Sequence, residues 1–235
     1  NPSELFEQMD NTAQQLAILK KSQLNSYHAL YSQVETRHQQ LSNALIAAGF
    51  NQDVILDSAP EGLLAQGGPL LEVANDVTSL DKNQLITKLL DLIKLEGAMA
   101  NLPIAFPAKK YYISSRYGIR NDPIRKRPAM HKGIDMAGWI KTKIYSPANG
   151  IVKRAGRNGS YGNFIEIDHQ NGFSTRYGHL NRIKVKKGQV VTKGDTIGLM
   201  GNSGRSTSTH LHYEILFNNK QINPLKFIKV LQDVL

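Results

Sequence analysis

The 235-residue sequence contains no cysteine. This absence excludes disulfide bonds, cysteine nucleophiles and cysteine metal ligands, so the fold depends on its hydrophobic core. A chain without cysteine fits many cellular compartments and favours export only weakly. The single tryptophan, Trp139, is expected to cover the predicted sheet rather than to line a site.

Long apolar runs are missing as well. No segment approaches the ~18 consecutive apolar residues of a membrane-spanning helix, so we expect no span in this chain. A signal peptide is not visible, but the chain begins with Asn1, and we expect that an upstream segment has been removed. With 40% hydrophobic and 20% charged residues, the sequence is typical of a soluble protein of one or two domains.

Glycine and proline are absent from residues 3–48, where apolar side chains recur at intervals of three and four. This pattern predicts a long helix of coiled-coil type that ends at Gly49. The predicted apolar stripe consists of Leu24, Tyr27, Tyr31, Val34, His38, Leu41, Leu45 and Ala48.

A second helix is predicted after a segment, residues 50–80, whose prolines and glycines indicate broken helix and loop. We expect this helix to run from about Asp81, as its N-cap, to Met99. Pro103 and Pro107 in "NLPIAFP" forbid its continuation and predict a hinge. The apolar face of the second helix is predicted to be Leu85, Leu89, Leu92, Ile93 and Leu95.

The pattern changes after Pro107, where glycine becomes frequent and short β-type runs alternate with turns. In "HQNGFS" an Asn-Gly pair separates two strand-like runs, which predicts a hairpin. We therefore predict an α+β multidomain chain. Residues 1–103 form a helical, coiled-coil-like regulatory region with a hinge, and residues 104–235 form an antiparallel β-sheet domain with a short C-terminal helix.

The formal charge is divided unevenly between these two regions. Residues 1–103 contain six Lys and Arg residues and twelve Asp and Glu residues. Residues 104–235 contain 23 Lys and Arg residues and seven Asp and Glu residues. The net charges are therefore −6 and +16, and this asymmetry suggests a polyanionic partner for the basic region or docking of one region on the other. Because the basic residues alternate with strands and lack an aromatic stacking motif, we expect no nucleic-acid binding.

Histidines are concentrated in the β region, and two of them occur in "HLH" ahead of a strand-like run. On a strand, His210 and His212 share one face with α-carbons ~6.6 Å apart. In "MHKGIDMAG", a turn at Gly133 would bring His131 and Asp135 together. Two imidazoles and one carboxylate with a fourth position open have the composition of a catalytic zinc site. Taken alone, each of these segments is better explained by ordinary turn and strand residues than by a metal site.

Three motifs in order, H-x-x-x-D, Y-G-H-L and H-L-H, resemble the LytM-type, lysostaphin-like zinc metallopeptidases of family M23, which are peptidoglycan endopeptidases. The resemblance covers roughly residues 104–228 and includes "SSRYGIRNDP", "HKGIDMAG", "YGNFIEIDHQNGFSTRYGHL" and "GNSGRSTSTHLHYEI". It does not cover the helical first hundred residues.

The resemblance implies one Zn²⁺ per chain, with His131, Asp135 and His212 as metal ligands. It also implies that His179 and His210 are the catalytic histidines that do not bind the metal. The substrate would be peptidoglycan, with D,D-endopeptidase action on its cross-links, in the periplasm or envelope of a Gram-negative bacterium.

Several features leave alternatives open. Arg116 and Arg120 would bind a carboxylate of the substrate or be surface charges. A non-catalytic LytM-type activator of cell-wall amidases is the alternative to the enzyme. The helical region would restrain the peptidase by covering its cleft, recruit an amidase or divisome partner, or form a dimer. His169, beside the hairpin, is expected to be structural.

Overall fold

The structure, a computed structural model, describes residues 2–57, 77–121 and 126–234, and for residues 77–81 the backbone only. Its helices are α1 (Pro2–Ala48), α2 (Gln52–Asp57), α3 (Val77–Ala100) and α4 (Pro224–Gln232). Its strands are β1 (Tyr112–Ser115), β2 (Gly118–Asn121), β3 (Pro128–His131), β4 (Ile134–Ala137), β5 (Lys143–Tyr145), β6 (Gly150–Arg157), β7 (Asn163–Asp168), β8 (Phe173–Ile183), β9 (Val190–Val191), β10 (Thr196–Met200), β11 (His210–Phe217) and β12 (Lys220–Ile222).

Helix α1 is long because nothing in residues 3–48 interrupts it, and it ends where glycine permits a left-handed residue. Gly49 has a φ of +98°, and the backbone N–H groups of Gly49 and Phe50 donate to the carbonyls of Ile46 and Leu45. Such a turn satisfies carbonyls that the helix end leaves free. The predicted helix and its end are therefore present, with Val34, Leu41 and Leu45 buried on the expected face.

Helix α3 departs from the prediction in two respects. It begins at Val77 rather than near Asp81, so Asp81 lies inside the helix and is not its N-cap. Leu89 and Ile93 are 40% and 49% exposed, whereas Leu85, Leu92, Leu95, Ala98 and Met99 are buried. The face that packs is thus narrower than predicted. Of residues 50–80, which were predicted to be broken helix and loop, residues 58–76 lie outside the described residues.

The β region forms one antiparallel sheet, in the order β1-β4-β11-β8-β7-β6-β9, with β12 paired to β11 and β10 paired to β8 and β5. A separate ribbon pairs β2 with β3. The Asn-Gly hairpin is present between β7 and β8, where Gln170, Asn171 and Gly172 all have positive φ. The predicted sequence of helices followed by an antiparallel sheet is confirmed.

The helices pack against the sheet at the end where β8 begins and β11 finishes. Phe50 lies with its ring centre 5.1 to 5.6 Å from those of Phe173, Phe217 and Phe227. Phe227 belongs to α4, the predicted C-terminal helix, which Asn223 caps by accepting from the N–H groups of Leu225 and Lys226. Helices and sheet share one hydrophobic cluster.

Trp139 does not cover the sheet, because its side chain is 83% exposed. It follows β4, where Lys141, with a φ of +67°, turns the chain away from the ladder. Of the helices in the described residues, none combines the length and the hydropathy that crossing a membrane requires.

Candidate metal centre

A cleft of about 430 Å³ opens on the sheet at the end away from the helix contacts. Its lining includes all five predicted metal-binding and catalytic residues, which are His131, Asp135, His179, His210 and His212. None of the described residues of α1, α2 or α3 lines it. The helical region therefore leaves this cleft open in the described part of the chain.

Pairing between β4 and β11 brings the carboxylate to the histidines. Asp135 lies opposite His212, and Ala137 lies opposite His210. Because side chains alternate along a strand, His210 and His212 point to the same face as Asp135.

A tight turn adds His131 from the β2–β3 ribbon. Gly133 lies in this turn, where a Cβ would stand 2.3 Å from the carbonyl oxygen of Tyr213. Only glycine therefore allows the chain to pass so close to β11, which explains the H-x-G-x-D spacing.

Three potential ligand atoms converge at this point. Asp135 Oδ1 lies 2.8 Å from His212 Nδ1 and 3.1 Å from His131 Nε2, and the two imidazole nitrogens are 3.1 Å apart. All three atoms lie within 4.8 Å of one another, and all three residues are buried. Two imidazole nitrogens and one carboxylate oxygen match the ligand set of catalytic zinc sites.

Hydrogen bonds on the far side of each ring orient these nitrogens. His131 Nδ1 lies 2.8 Å from the carbonyl oxygen of Arg116, and a carbonyl can only accept, so Nδ1 is the donor. His212 Nε2 lies 3.0 Å from the carboxylate of Glu214 and donates in the same way. In each neutral ring the lone pair is therefore on the nitrogen that faces Asp135.

His179 reaches the cleft through a bulge in β8. Residues 177 and 180 pair with residues 165 and 163, so β8 carries one extra residue here. His179 sits in this bulge with a φ of +60°, a conformation that costs a residue other than glycine roughly 1–3 kcal/mol and is common at functional sites. Its Nδ1 donates to the carbonyl of Ser203 at 2.8 Å.

His210 completes the group beside the three potential ligands. Its Nδ1 donates to the carbonyl of Ser208 at 2.8 Å, and its Nε2 lies 3.7 Å from Asp135 Oδ1. The ring centres of His179 and His210 are 4.8 Å apart. His210 therefore presents Nε2 to the place where the three ligand atoms converge, and the ring of His179 lies beside it, 6.0 Å from that of His212.

Burial and neighbouring charges shift the pKa values of Asp135 and His212 in opposite directions. Burial raises the pKa of Asp135, but hydrogen bonding and charge interaction with the His131 and His212 rings outweigh it and hold the pKa well below its ordinary value. Burial lowers the pKa of His212, but hydrogen bonds to Asp135 and Glu214 outweigh it and raise the pKa to about 9. A metal ion binding here therefore displaces a proton. Burial lowers the pKa of His179 to about 4.

The two predicted arginines occupy different positions. Arg120 lines the cleft, and its Nη2 donates to Asp135 Oδ2 at 3.1 Å. Arg116 has an exposed side chain outside the cleft lining, and it is its backbone carbonyl that contacts His131. Arg120 thus contacts one of the three potential ligands, Asp135, through its side chain, and Arg116 contacts another, His131, only through its main chain.

Sequence reasoning did not select Glu214, Tyr161 or Ser203. Glu214 is fully buried and contacts His212, and Tyr161 donates to Glu214 at 2.7 Å. A signal for Glu214 was present, because it is two residues after His212 on the same face of β11. Tyr161 lies in a short 3-10 turn before β7, and Ser203 lies in the loop between β10 and β11.

The chain is similar in sequence to known peptidases. Residues 129–224 match the model for Peptidase family M23. The chain is 43% identical over 133 residues to peptidoglycan DD-endopeptidase ShyA of Vibrio cholerae, covering 56% of this chain and 30% of ShyA. It is 42% identical over 113 residues to DD-carboxypeptidase/endopeptidase Mpg of Neisseria meningitidis, covering 48% of this chain and 26% of Mpg. The chain thus spans between a quarter and a third of the length of these two relatives.

A solved structure described as a zinc containing peptidase from Vibrio cholerae is 37% identical to the chain. The superposition has a TM-score of 0.49 and covers 51% of this chain and 38% of the other. The family match and the relatives confirm the resemblance predicted from the three histidine motifs.

Proposed function

We propose that the chain, whose residues 129–224 match the model for Peptidase family M23, is a zinc-dependent endopeptidase of bacterial peptidoglycan. The observation that carries the proposal is the convergence of His131, Asp135 and His212, whose ligand atoms lie within 4.8 Å of one another. The names of the relatives, which are peptidoglycan DD-endopeptidase and DD-carboxypeptidase/endopeptidase, support D,D cross-links as the substrate.

The residues fit zinc by the nature and orientation of their donors. His131 would bind through Nε2 and His212 through Nδ1, because the opposite nitrogen of each ring donates to a fixed oxygen. Asp135 would bind through Oδ1, while Oδ2 accepts from Arg120. When bound, zinc polarises the scissile carbonyl and lowers the pKa of a coordinated water to about 7.

His179 and His210 would move protons during peptide hydrolysis. Each has its Nδ1 proton held by a backbone carbonyl, so Nε2 is free to accept a proton. The lowered pKa of His179 keeps its ring neutral near pH 7. A neutral imidazole of this kind accepts a proton from the attacking water, and its protonated form returns one to the leaving amine.

Digestion of defined cross-linked muropeptides, with the products read by mass spectrometry, tests this function. We expect zinc-loaded protein to cut D,D cross-links and protein stripped with a chelator to be inactive. A zinc-free, inactive protein that stimulates an amidase would overturn the proposal. That non-catalytic alternative is disfavoured, because all five predicted histidine and aspartate side chains are present and line one cleft.

We assign residues 1–103 to a helical accessory region and residues 104–235 to the peptidase domain. Restraint of the peptidase by the helices would act through their shared hydrophobic cluster, since the described helical residues do not cover the cleft. Recruitment of a partner is supported by the first half of α1. There Leu5, Phe6, Met9, Leu16 and Leu19 are between 52% and 72% exposed.

An exported location, in the periplasm or envelope, follows from the proposed substrate. Peptidoglycan lies outside the cytoplasmic membrane, so an enzyme that cuts it must be exported. The basic charge of residues 104–235 suits an anionic wall polymer. Fractionation of the producing cells, with the cleavage assay run on each fraction, tests this location.

A further inference from the structure

Glu214 is a fully buried carboxylate that the proton transfers described above do not use. Its exposure is 0%, and both of its oxygens have polar partners. Oε1 accepts from His212 Nε2 at 3.0 Å and from the hydroxyl of Tyr161 at 2.7 Å. Oε2 faces Arg176 at 3.6 Å and Gln221 at 3.5 Å.

This carboxylate belongs to a row of charges that runs across three strands. Glu166 on β7 lies opposite Arg176 on β8, and Arg176 lies opposite Glu214 on β11. Arg176 contacts both carboxylates, at 3.3 Å and 3.6 Å. Because the row is part of the sheet ladder, Glu214 cannot shift along the strand without breaking the pairing.

Gly178, in the neighbouring row of the sheet, leaves the space in which the Tyr161 side chain extends to Glu214. Gly178 lies opposite His212, and a Cβ there would stand 3.1 Å from the ring of Tyr161 and 3.4 Å from the Cβ of His212. The tyrosine ring therefore lies over Gly178, beside His212, with ring centres 5.6 Å apart. Its hydroxyl then reaches Glu214.

We propose that Glu214, held by Tyr161 and Arg176, is a positioning residue that fixes the His212 ring so that Nδ1 points to the metal. The inference rests on the proposed zinc site and concerns how that site gains its affinity. A carboxylate behind a metal-binding histidine orients the ring and increases its basicity, and its loss weakens metal binding about 10- to 100-fold. Tyr161 adds the second hydrogen bond that keeps Oε1 pointed at His212.

The test compares two buried carboxylates that share one arginine. Zinc affinity is measured by chelator competition for the full chain and for Glu214→Gln and Glu166→Gln. Glu166 is 5% exposed and binds Arg176, as Glu214 does, but among the described contacts it does not touch a histidine. We expect Glu214→Gln to bind zinc roughly 10- to 100-fold more weakly and Glu166→Gln to bind it as the parent does.

Equal weakening in both variants would overturn the inference, because the effect would then come from Arg176 and the sheet. Unchanged affinity in both would also overturn it. If Glu214→Gln does not fold, Tyr161→Phe serves in its place, since it removes only one hydroxyl. It should weaken zinc binding roughly 2- to 10-fold, and no change would count against the inference. Failure of the parent chain to bind zinc would instead refute the proposed function.

Discussion

Asp135 and His212 face each other across the β4–β11 ladder, with the carboxylate Oδ1 2.8 Å from the imidazole Nδ1. This cross-strand pair joins residues that are 77 positions apart in the sequence. His131 adds to the pair from a two-stranded ribbon outside the main sheet. The candidate metal centre thus depends on correct strand register, because a slip of one residue would turn its side chains to the other face.

Replacement of Asp135 by asparagine should abolish stable zinc binding. The substitution keeps the shape of the side chain but removes the negative charge that offsets the metal. Zinc content, measured by mass spectrometry after dialysis, should fall from one ion per chain towards zero. Asp168→Asn, which changes a carboxylate of the β7–β8 turn, should retain its zinc. Full zinc occupancy in Asp135→Asn would contradict the assignment of this ligand.

Substitution of the two proposed catalytic histidines should lower activity without removing the metal. His179→Ala and His210→Ala are each expected to lower kcat on cross-linked muropeptides by roughly 10²- to 10⁴-fold, the usual contribution of a general acid or base. Zinc content should stay at the parent level. His28→Ala, which alters an exposed histidine of α1, should keep both kcat and zinc. A variant at either catalytic position with parental kcat would remove that residue from the mechanism.

Gly162→Ala should reduce activity through the loop that holds His179. Gly162 has a φ of +67°, and a Cβ there would stand 2.4 Å from the carbonyl carbon of Ser203. Ser203 accepts the hydrogen bond from His179, so its displacement should lower kcat while zinc remains bound. Gly159→Ala is the matched control, because Gly159 also has a positive φ but has no atoms within 4 Å of the added Cβ. Equal loss of activity in the two variants would point to backbone strain alone.

His169 should make the fold less stable in mild acid. Burial lowers its pKa to about 4, against 6.5 in the unfolded chain. Above pH 6.5 the ring is neutral in both states and its full contribution is present. As the pH falls from 6.5 towards 4, the imidazole becomes protonated in the unfolded chain but stays neutral in the folded chain. The free energy of unfolding therefore decreases, by about 3 kcal/mol at most.

Urea unfolding at pH 7 and pH 5 measures this effect. The neutral ring donates from Nδ1 to the carbonyl of Asn149, and its Nε2 accepts from the hydroxyl of Thr175. His169→Gln cannot be protonated in this range and should show a smaller loss of stability between the two pH values than the parent. An equal loss in both proteins would show that other groups carry the acid sensitivity.

Phe50→Ala should destabilise the whole chain rather than the helices alone. The ring packs against Phe173 and Phe217 of the sheet and Phe227 of α4, so its removal should cost about 3 kcal/mol of unfolding free energy. Phe6→Ala is the control, since Phe6 is 72% exposed and its loss should change stability by less than about 0.5 kcal/mol. A parental urea midpoint in Phe50→Ala would show that this contact is not made in solution.

Much of this molecule could be predicted from local patterns. The uninterrupted helix to Ala48, the Asn-Gly hairpin and the strand carrying His210 and His212 all follow from residue types and their spacing. The exposure of Leu89, Ile93 and Trp139 could not be predicted, because hydropathy does not tell which side chains a neighbouring element covers. Arg120 was selected as a substrate-binding candidate, but only the fold places its guanidinium on Asp135.

The sequence by itself determined which side chains were available for metal chemistry, since the absence of cysteine and the three histidine motifs leave few other choices. It also determined that these motifs stand on strands and turns, because alternation and glycine placement act locally. The tertiary structure decided which nitrogen of each ring faces the centre, and it brought Glu214, Tyr161 and Ser203 behind the histidines. Those contacts join distant segments, so they arise from strand pairing and loop packing rather than from local preference.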